Sequence, residues 1–243
     1  MFCWCGADRL ESFIEHYGKC PSCGTIVAFD RRSPDAMKNY YGHESYWRTH
    51  VVQTYGHPNI EQRSYSDFQD RIPFWWNAVK DLAPNAMSIL EIGCAHGGFL
   101  SHCRDNGYKR VVGIEVDEST CGFARKRFNL PEVYPGLWPE VEIEGTFDVI
   151  CGFDVLEHFI DPLDAMVAVR DKLNPNGICL WQTPRFEGHQ IWEQFKPDEH
   201  LFLFSPASVT DLMESAGMKC EIATSVFTHD MMVIGRLNEA RAA

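Results

Sequence analysis

The segment ILEIGCAHGGFL, residues 89–100, constrains the fold of this chain more than any other. An apolar run ends in the acid Glu91, and the chain then turns through Gly93 and Gly97 into a predicted helix. A second apolar run, VVGIE, ends in Glu115, which follows Gly93 by 22 residues. Strand, glycine turn, helix, strand and acid in this order are typical of the nucleotide-binding half of a doubly wound α/β sheet. A carboxylate at the end of the second strand accepts hydrogen bonds from ribose hydroxyls, so Glu115 is predicted to hold a nucleoside.

The spacing of the glycines discriminates among nucleotide ligands. A dinucleotide fingerprint is G-x-G-x-x-G, in which the middle glycine leaves room for a pyrophosphate. Ala95 stands at the middle position here, so the pattern disfavours an NAD-dependent oxidoreductase. The pattern that remains is E-x-G-x-x-x-G, an acid followed by two glycines.

Further motifs follow along the chain in a fixed order. They are FDVI at 147–150, DVLEH at 154–158, DP at 161–162, QTP at 182–184, EHLF at 199–202 and FS at 204–205. With the glycine turn, this order resembles the class I S-adenosylmethionine (SAM)-dependent methyltransferases over roughly residues 86–236. The resemblance implies a doubly wound, Rossmann-like α/β fold with a mostly parallel seven-stranded sheet, and SAM as the cofactor.

The resemblance also assigns the residues that contact SAM. They are Glu91, Gly93, Gly97, Glu115, Val116, Gly136, Leu137, Phe153 and Asp154. Gly93 and Gly97 are expected at the methionine part and Glu115 at the ribose. Many relatives carry an acid near the end of the third strand, whereas this chain reads VYPG at 133–136. Contacts to the adenine are therefore expected to be mainly apolar and from the backbone.

Two histidines are the candidate catalytic residues. An alcohol acceptor must lose a proton during methyl transfer, so a base near the working pH is expected beside it. His200 and His158 each follow a predicted strand end on the same side of the sheet. The alternative is that both orient a loop, because relatives with different acceptors share these motifs. The aromatic residues of segment 184–206 have two interpretations, an acceptor lid or packing of a long insertion.

A cysteine cluster lies at the start of the chain. Four of the ten cysteines fall in the first 23 residues, in the pairs CWCG and CPSCG: Cys3, Cys5, Cys20 and Cys23. Paired thiolates followed by glycine suit a tetrahedral structural Zn²⁺ with no open position for chemistry. The alternatives are a chance cluster of reduced cysteines and a redox pair, which is disfavoured because no βαβ pattern surrounds it.

The pattern along the chain predicts three parts. Residues 1–30 form a small zinc module, 31–85 a helical linker, and 86–243 the methyltransferase domain. The linker carries a mainly aromatic stripe at helical spacing, interpreted as packing on the core or as a partial lid, and Pro73 should kink or restart its helix. The stripe consists of Tyr65, Phe68, Ile72, Trp75, Trp76 and Val79. Strands are predicted at 88–91, 110–115, 132–134, 147–152, 177–182, 219–225 and 231–236, and helices at 97–106, 118–128, 162–174 and 207–216. Ser208 is expected to begin the last of these helices.

Composition bounds the partners. The formal net charge of −12 repels phosphate backbones, so the expected acceptor is a small molecule or glycan rather than nucleic acid. The sequence shows no apolar stretch of membrane-spanning length and no signal peptide, so no membrane partner and a cytoplasmic location are expected. The favoured reaction is O-methylation of a sugar hydroxyl. N- or C-methylation and a non-catalytic SAM-binding scaffold stay open.

Overall fold

The computed structural model describes residues 3–42, 46–187 and 192–238. The chain forms two compact units. We call Pro34–Cys151 the central unit, and Met1–Ser33 with Gly152–Ala243 the terminal unit. This division differs from the three parts expected from the sequence, which stay a prediction.

The elements alternate between strand and helix through most of the chain. The strands are β1 (Glu11–Ile14), β2 (Tyr17–Lys19), β3 (Ile26–Ala28), β4 (Ser88–Ile92), β5 (Arg110–Glu115), β6 (Val133–Pro135), β7 (Phe147–Phe153), β8 (Leu173–Pro184), β9 (Phe202–Leu203), β10 (Met218–Thr224) and β11 (Asp230–Leu237). The helices are α1 (Pro34–Tyr41), α2 (Val51–Tyr55), α3 (Ile60–Ser66), α4 (Arg71–Leu82), α5 (Gly98–Asp105), α6 (Glu118–Phe128), α7 (Pro162–Lys172) and α8 (Pro206–Ser215). All seven predicted core strands and all four predicted core helices are present, with ends that differ by up to four residues.

The large sheet has the predicted topology. Its strand order is β10-β11-β8-β7-β4-β5-β6. β4 pairs in parallel with both β5 and β7, and β5 pairs in parallel with β6. β11 is antiparallel to β8 and to β10. The expected doubly wound, mostly parallel seven-stranded sheet is confirmed. Its carboxyl ends bring Glu91, Glu115 and Pro135 to one edge of the central unit.

A second sheet was not expected. It has the order β1-β2-β3-β9 and lies within the terminal unit. Its core consists of Tyr17, Ile26, Ala28 and Leu203, packed against half-buried phenylalanines. The N-terminal cysteine region therefore shares a sheet with residues 202–203. The sequence did not predict this pairing because β9 has only two residues, too few to show strand periodicity.

Helix starts follow local capping chemistry. Pro73 lies in the first turn of α4, which Asp70 caps, so the proline restarts the helix as expected. Pro162 occupies the first turn of α7. The expectation that Ser208 begins α8 was wrong. Ser205 caps that helix, and Ser208 completes a reciprocal capping box three residues later.

Most of the stripe residues in the linker, and two of the aromatic residues in segment 184–206, pack in the core. In the linker stripe Ile72 and Val79 are fully buried, and the Trp75 ring meets the Phe99 ring at 6.0 Å, which supports the packing interpretation. Tyr65 departs from it, since it is 63% exposed. In the predicted lid segment, residues 188–191 and the Trp192 side chain lie outside the described part. Phe202 and Phe204 there are fully buried and stacked on each other, so these two form core rather than lid.

Across the described ranges 3–42, 46–187 and 192–238, the structure contains no helix with both the length and the apolar character that crossing a membrane requires.

Candidate functional site

The glycine turn after β4 is held by the backbone of β5. The N–H groups of Gly93 and Cys94 both donate to the Ile114 carbonyl, at 2.8 and 3.0 Å. Gly97 has a φ of +76° and immediately precedes α5. A Cβ at this position would lie 2.8 Å from Leu130 Cδ1, so both the conformation and the space require glycine.

Backbone amides hold the Glu115 carboxylate. Oε1 accepts from the N–H of Val116 at 2.8 Å and of Asp117 at 3.3 Å, and Oε2 accepts from the N–H of Ala95 at 3.0 Å. Burial raises the pKa of Glu115, although the three amides favour its charged form. These bonds use three of the carboxylate's roughly four acceptor positions. If two ribose hydroxyls also donate to Glu115, one of them must share an acceptor position with a backbone N–H group.

Glu91 is buried beside this turn. Its Oε2 makes no hydrogen bond with any residue that the structure describes. Burial first, and then the charges of Glu115 and Asp67, raise the pKa of Glu91 well above its ordinary value. An unpaired buried acceptor among negative charges suits a cationic group, and the amino group of the methionine part of SAM is such a group. The turn therefore fits the expected cofactor.

Gly136 and Leu137 follow the neighbouring strand end. The Gly136 N–H donates to the Glu115 carbonyl at 2.9 Å. Gly136 has a φ of +141°, and a Cβ there would lie 2.5 Å from Val141 Cγ2. Leu137 is half-buried. The central unit thus brings seven of the nine expected cofactor residues to one edge of its sheet.

A histidine–aspartate pair next to the glycine turn was missed by the sequence analysis. His96 Nδ1 accepts from the Gly98 N–H at 3.0 Å, so Nε2 carries the proton and donates to Asp67 Oδ2 at 3.1 Å. Both residues are buried. The contact joins the end of α3 to the turn. No signal in the sequence could have linked the two residues, because they are far apart along the chain and share no spacing pattern.

The other two expected cofactor residues lie in the terminal unit. Phe153 ends β7 and is buried. Asp154 follows it with a φ of +59°, a left-handed conformation that is uncommon outside glycine. Gln182 of β8 fixes it twice, because Nε2 donates to Asp154 Oδ1 at 2.7 Å and the Gln182 carbonyl accepts from the Asp154 N–H at 2.9 Å.

The candidate catalytic histidines lie together in the terminal unit. The rings of His158 and His200 meet edge to face with centroids 4.9 Å apart. Burial lowers the pKa of both, so each is held neutral. Glu157 is buried beside them, and its Oε1 lies 3.8 Å from His158 Nε2. Burial first, and then the charge of Asp154, raise the pKa of Glu157 well above its ordinary value.

The second sheet supports this cluster from the N-terminal side. The Tyr17 hydroxyl donates to the His200 carbonyl at 2.9 Å. The Leu201 carbonyl accepts from the Ala28 N–H at 3.0 Å, while the Leu201 N–H donates to the Glu157 carbonyl at 2.9 Å. The region next to the cysteines thus bonds to the backbone of His200 and Leu201, within the histidine cluster.

The four N-terminal cysteines converge. All four Sγ atoms lie within 4.8 Å of one another, with Cys3 to Cys23 and Cys5 to Cys20 at 3.5 Å. Four sulfurs around Zn²⁺ at about 2.3 Å would be about 3.8 Å apart, so the arrangement fits a tetrahedral ion. Gly6 and Gly24 both have positive φ, which turns the chain tightly after each pair. The Zn²⁺ itself stays a prediction.

Comparisons with known proteins bear on the fold and the family. A methyltransferase-domain family matches residues 60–221, more than half of the chain. A probable S-adenosylmethionine-dependent methyltransferase from Mycolicibacterium smegmatis is 29% identical over 57% of this chain and 54% of its own length. A tRNA U34 carboxymethyltransferase from Actinobacillus succinogenes is 30% identical over 59% of this chain and 45% of its own length. The chain thus spans about half the length of these curated relatives.

A solved structure shares the fold at low identity. The sugar N-methyltransferase KedS8 from a Streptoalloteichus species superimposes with a TM-score of 0.58 and 14% identity, over 71% of this chain and 89% of that one. A likeness at this identity shows the fold alone.

Proposed function

Because the chain belongs to this methyltransferase-domain family, we propose that it transfers the methyl group of S-adenosylmethionine to an acceptor hydroxyl on a sugar, a glycan or another small metabolite. The observation that carries the proposal is the edge of the central unit, where Glu91, the glycine turn and Glu115 meet. A buried carboxylate with an unpaired oxygen and a second one held by amides match the cationic and ribose parts of SAM.

The cofactor residues follow from this assignment. Glu91 receives the amino group of the methionine part, and the turn from Gly93 to Gly97 lets the chain approach it closely. Glu115 receives the ribose. Val116, Gly136 and Leu137 border the adenine in this proposal, whereas Phe153 and Asp154 take the methionine end. SAM supplies an electrophilic methyl group, so the chain need mainly bind, orient and shield the reactants.

We assign deprotonation of the acceptor to the histidine cluster. His200 and His158 are held neutral by burial, and 18% of the His158 side chain is exposed. A buried polar cluster that reaches solvent at one residue suits a hydroxyl that must be oriented and lose a proton.

The acceptor class rests on charge. A net charge of −12 opposes a nucleic-acid acceptor, although several relatives are named for tRNA. KedS8 is named for methylation of sugar nitrogen, so N-methylation of an amino sugar is the second candidate. C-methylation and a scaffold that binds SAM without turnover are outcomes that an acceptor screen would reveal.

The cysteine cluster completes the proposal as a structural Zn²⁺ site. Cys3, Cys5, Cys20 and Cys23 supply four thiolates and leave no position open for substrate. We propose that the ion stabilises the turns that precede and follow β1 and β2.

The test is calorimetric titration with S-adenosylhomocysteine, the demethylated product of SAM. Wild-type protein should bind it with a Kd on the order of micromolar, and Glu115→Ala should weaken binding by about 100-fold or more, since it removes a charge-assisted contact. Glu118→Ala, an exposed acid three residues away, is the matched control and should bind like wild type. NAD should not bind.

Absence of S-adenosylhomocysteine binding in the wild type would defeat the proposal and leave only the fold. Binding without transfer of labelled methyl to any sugar or metabolite pool would instead favour the scaffold.

A further inference from the structure

The cluster of Glu157, His158 and His200 contains two imidazoles and a carboxyl, whereas a general base needs only one such group. One nitrogen from each imidazole and one carboxylate oxygen lie within 4.8 Å of one another. We propose that these three side chains form a second metal site, which binds a divalent first-row cation such as Mn²⁺, Fe²⁺, Co²⁺ or Zn²⁺. Two imidazoles and one carboxylate are a ligand set that such ions accept while keeping positions open.

The separations suit an ion after a small contraction. A divalent ion lies about 2.0–2.2 Å from imidazole nitrogen and carboxylate oxygen, so adjacent ligand atoms are about 3–3.6 Å apart. His158 Nε2 and Glu157 Oε1 are 3.8 Å apart without any ion between them. Rotation of side chains closes the remaining gap, since the ligands come from one short turn and one neighbouring segment.

The hydrogen bonds around the cluster are those that orient metal ligands. A metal-binding histidine donates its other ring N–H to a carbonyl or carboxylate, which fixes the tautomer. His200 Nδ1 bonds to the Gln194 carbonyl at 2.8 Å, so its lone pair lies on Nε2. A hydrogen bond joins the His158 ring to the Glu199 backbone. The Thr183 hydroxyl donates to Glu157 Oε2 at 2.9 Å, which orients the carboxylate.

The charge distribution also favours a cation. Glu157 is buried, and the negative charge of Asp154 acts on it. Two carboxylates near each other are costly to ionise in a buried place unless a cation compensates them. Asp154 itself is held in a left-handed conformation by Gln182, and strain of this kind is characteristic of functional positions.

This inference rests on the proposed methyl transfer and deepens it. A bound divalent ion lowers the pKa of a coordinated oxygen, so an acceptor hydroxyl placed on it would ionise more readily. The histidines would then be ligands in place of the bases proposed above, and the hydroxyl proton would pass to solvent at the exposed side of His158. The exposed part of the His158 side chain marks the side from which acceptor oxygen could reach the ion.

The experiment is a Co²⁺ titration of protein that already carries one equivalent of Zn²⁺, followed by visible absorption and by thermal unfolding. Thiolates prefer Zn²⁺, so the cysteine site stays filled and the added Co²⁺ reports on the second cluster. Wild type should bind one Co²⁺ per chain without a thiolate charge-transfer band, and its Tm should rise. His200→Ala and the isosteric Glu157→Gln should each weaken binding by at least about tenfold.

The matched control is His229→Ala, which removes a histidine of the same unit outside the cluster. It should bind Co²⁺ like wild type. Equal Co²⁺ affinity in wild type and both cluster variants, or no binding to wild type, would overturn the inference. Circular dichroism checks that the variants fold. If His200→Ala does not fold, Glu157→Gln still tests the site, because glutamine has nearly the same shape as glutamate. S-adenosylhomocysteine binding is measured separately, so failure of either proposal leaves the other readable.

Discussion

The two units of the chain hold their candidate functional groups in different ways. In the central unit, Glu91 and Glu115 lie near the carboxyl ends of two adjacent parallel strands. Glu115 is held by the amide of Ala95 in the glycine turn and by the two amides that follow β5. In the terminal unit, Glu157 and His200 are held by three separate stretches of chain: the N-terminal sheet, β8, and the residues around 194–201. The first arrangement depends on local backbone, and the second on distant side chains and strand pairing.

This difference predicts which functional groups a substitution in each unit will affect. A substitution at the glycine turn should change cofactor affinity without altering the terminal unit. A change in the N-terminal cysteine region should instead reach the histidine cluster, because β3 pairs with β9 and Tyr17 bonds to His200.

Removal of the proposed Zn²⁺ should have the largest effect. In small zinc modules the ion contributes about 10 kcal/mol or more to folding, so the double variant Cys20→Ser/Cys23→Ser should melt β1 to β3. Methyl transfer should fall, while S-adenosylhomocysteine affinity stays close to wild type. Hydrogen exchange of the Ala28 amide, which bonds to the Leu201 carbonyl, reports the loss.

The matched control for zinc removal is Cys220→Ser, a half-buried cysteine outside the cluster. If the Ala28 amide stays protected from hydrogen exchange in the double variant, the cysteine site does not support the histidine cluster, and the proposed difference between the two units is wrong.

Tyr17→Phe should have the next largest effect. It leaves the His200 carbonyl without its buried donor, which costs about 1–3 kcal/mol of stability. Acceptor turnover should fall more than cofactor affinity, since the lost bond reaches His200 and not the glycine turn or Glu115. Denaturant unfolding and steady-state kinetics measure the two effects. Tyr65→Phe, at a tyrosine that is 63% exposed, is the control and should change neither. An equal loss of S-adenosylhomocysteine affinity in Tyr17→Phe would contradict the separation.

Glu91→Gln should stabilise the free protein by about 1 kcal/mol near neutral pH, because it replaces a buried carboxyl that is costly to ionise and has an unpaired oxygen. The folded-state pKa of Glu91 is raised, so wild-type stability falls as pH rises from the ordinary value of 4.5 through the folded value. The advantage of the variant should therefore shrink as the pH falls toward 4.5.

The same Glu91→Gln variant should bind S-adenosylhomocysteine at least about tenfold more weakly, because a charge-assisted bond becomes a neutral one. Denaturant unfolding at several pH values and calorimetric titration measure the two effects. Glu142→Gln, at an exposed acid of the same unit, should match wild type in both its free energy of unfolding and its S-adenosylhomocysteine affinity. A pH-independent stability difference would show that Glu91 does not carry the effect.

Ala95→Gly should have the smallest effect. Ala95 has a φ of +44°, and glycine relieves about 1 kcal/mol of that strain while adding a similar entropy to the unfolded chain. Stability should change by less than about 0.5 kcal/mol, and cofactor binding should persist because the Ala95 N–H remains. Thermal unfolding measures the stability of both variants. Ala95→Val should be clearly destabilising, since a β-branched residue is poorly tolerated at a positive φ. Equal stability of the two variants would show that the turn relaxes.

The sequence predicted the central unit well because its signals are local. The glycine turn and the acids near the carboxyl ends of β4 and β5 each lie within a short stretch of sequence. Capping was predicted less well. Ser208 was expected to begin α8, but Ser205 has the same chemistry three residues earlier, and only the backbone conformation distinguishes them.

Other features came only from tertiary structure. The pairing of β3 with β9, the Asp67–His96 contact and the bond from Tyr17 to His200 join residues that are distant in the chain. The sequence by itself determined the α/β fold and the family, because strand periodicity, glycine positions and terminal acids are read along the chain. Tertiary structure decided which groups surround each carboxylate and histidine, because burial and hydrogen-bond partners exist only after distant segments have packed.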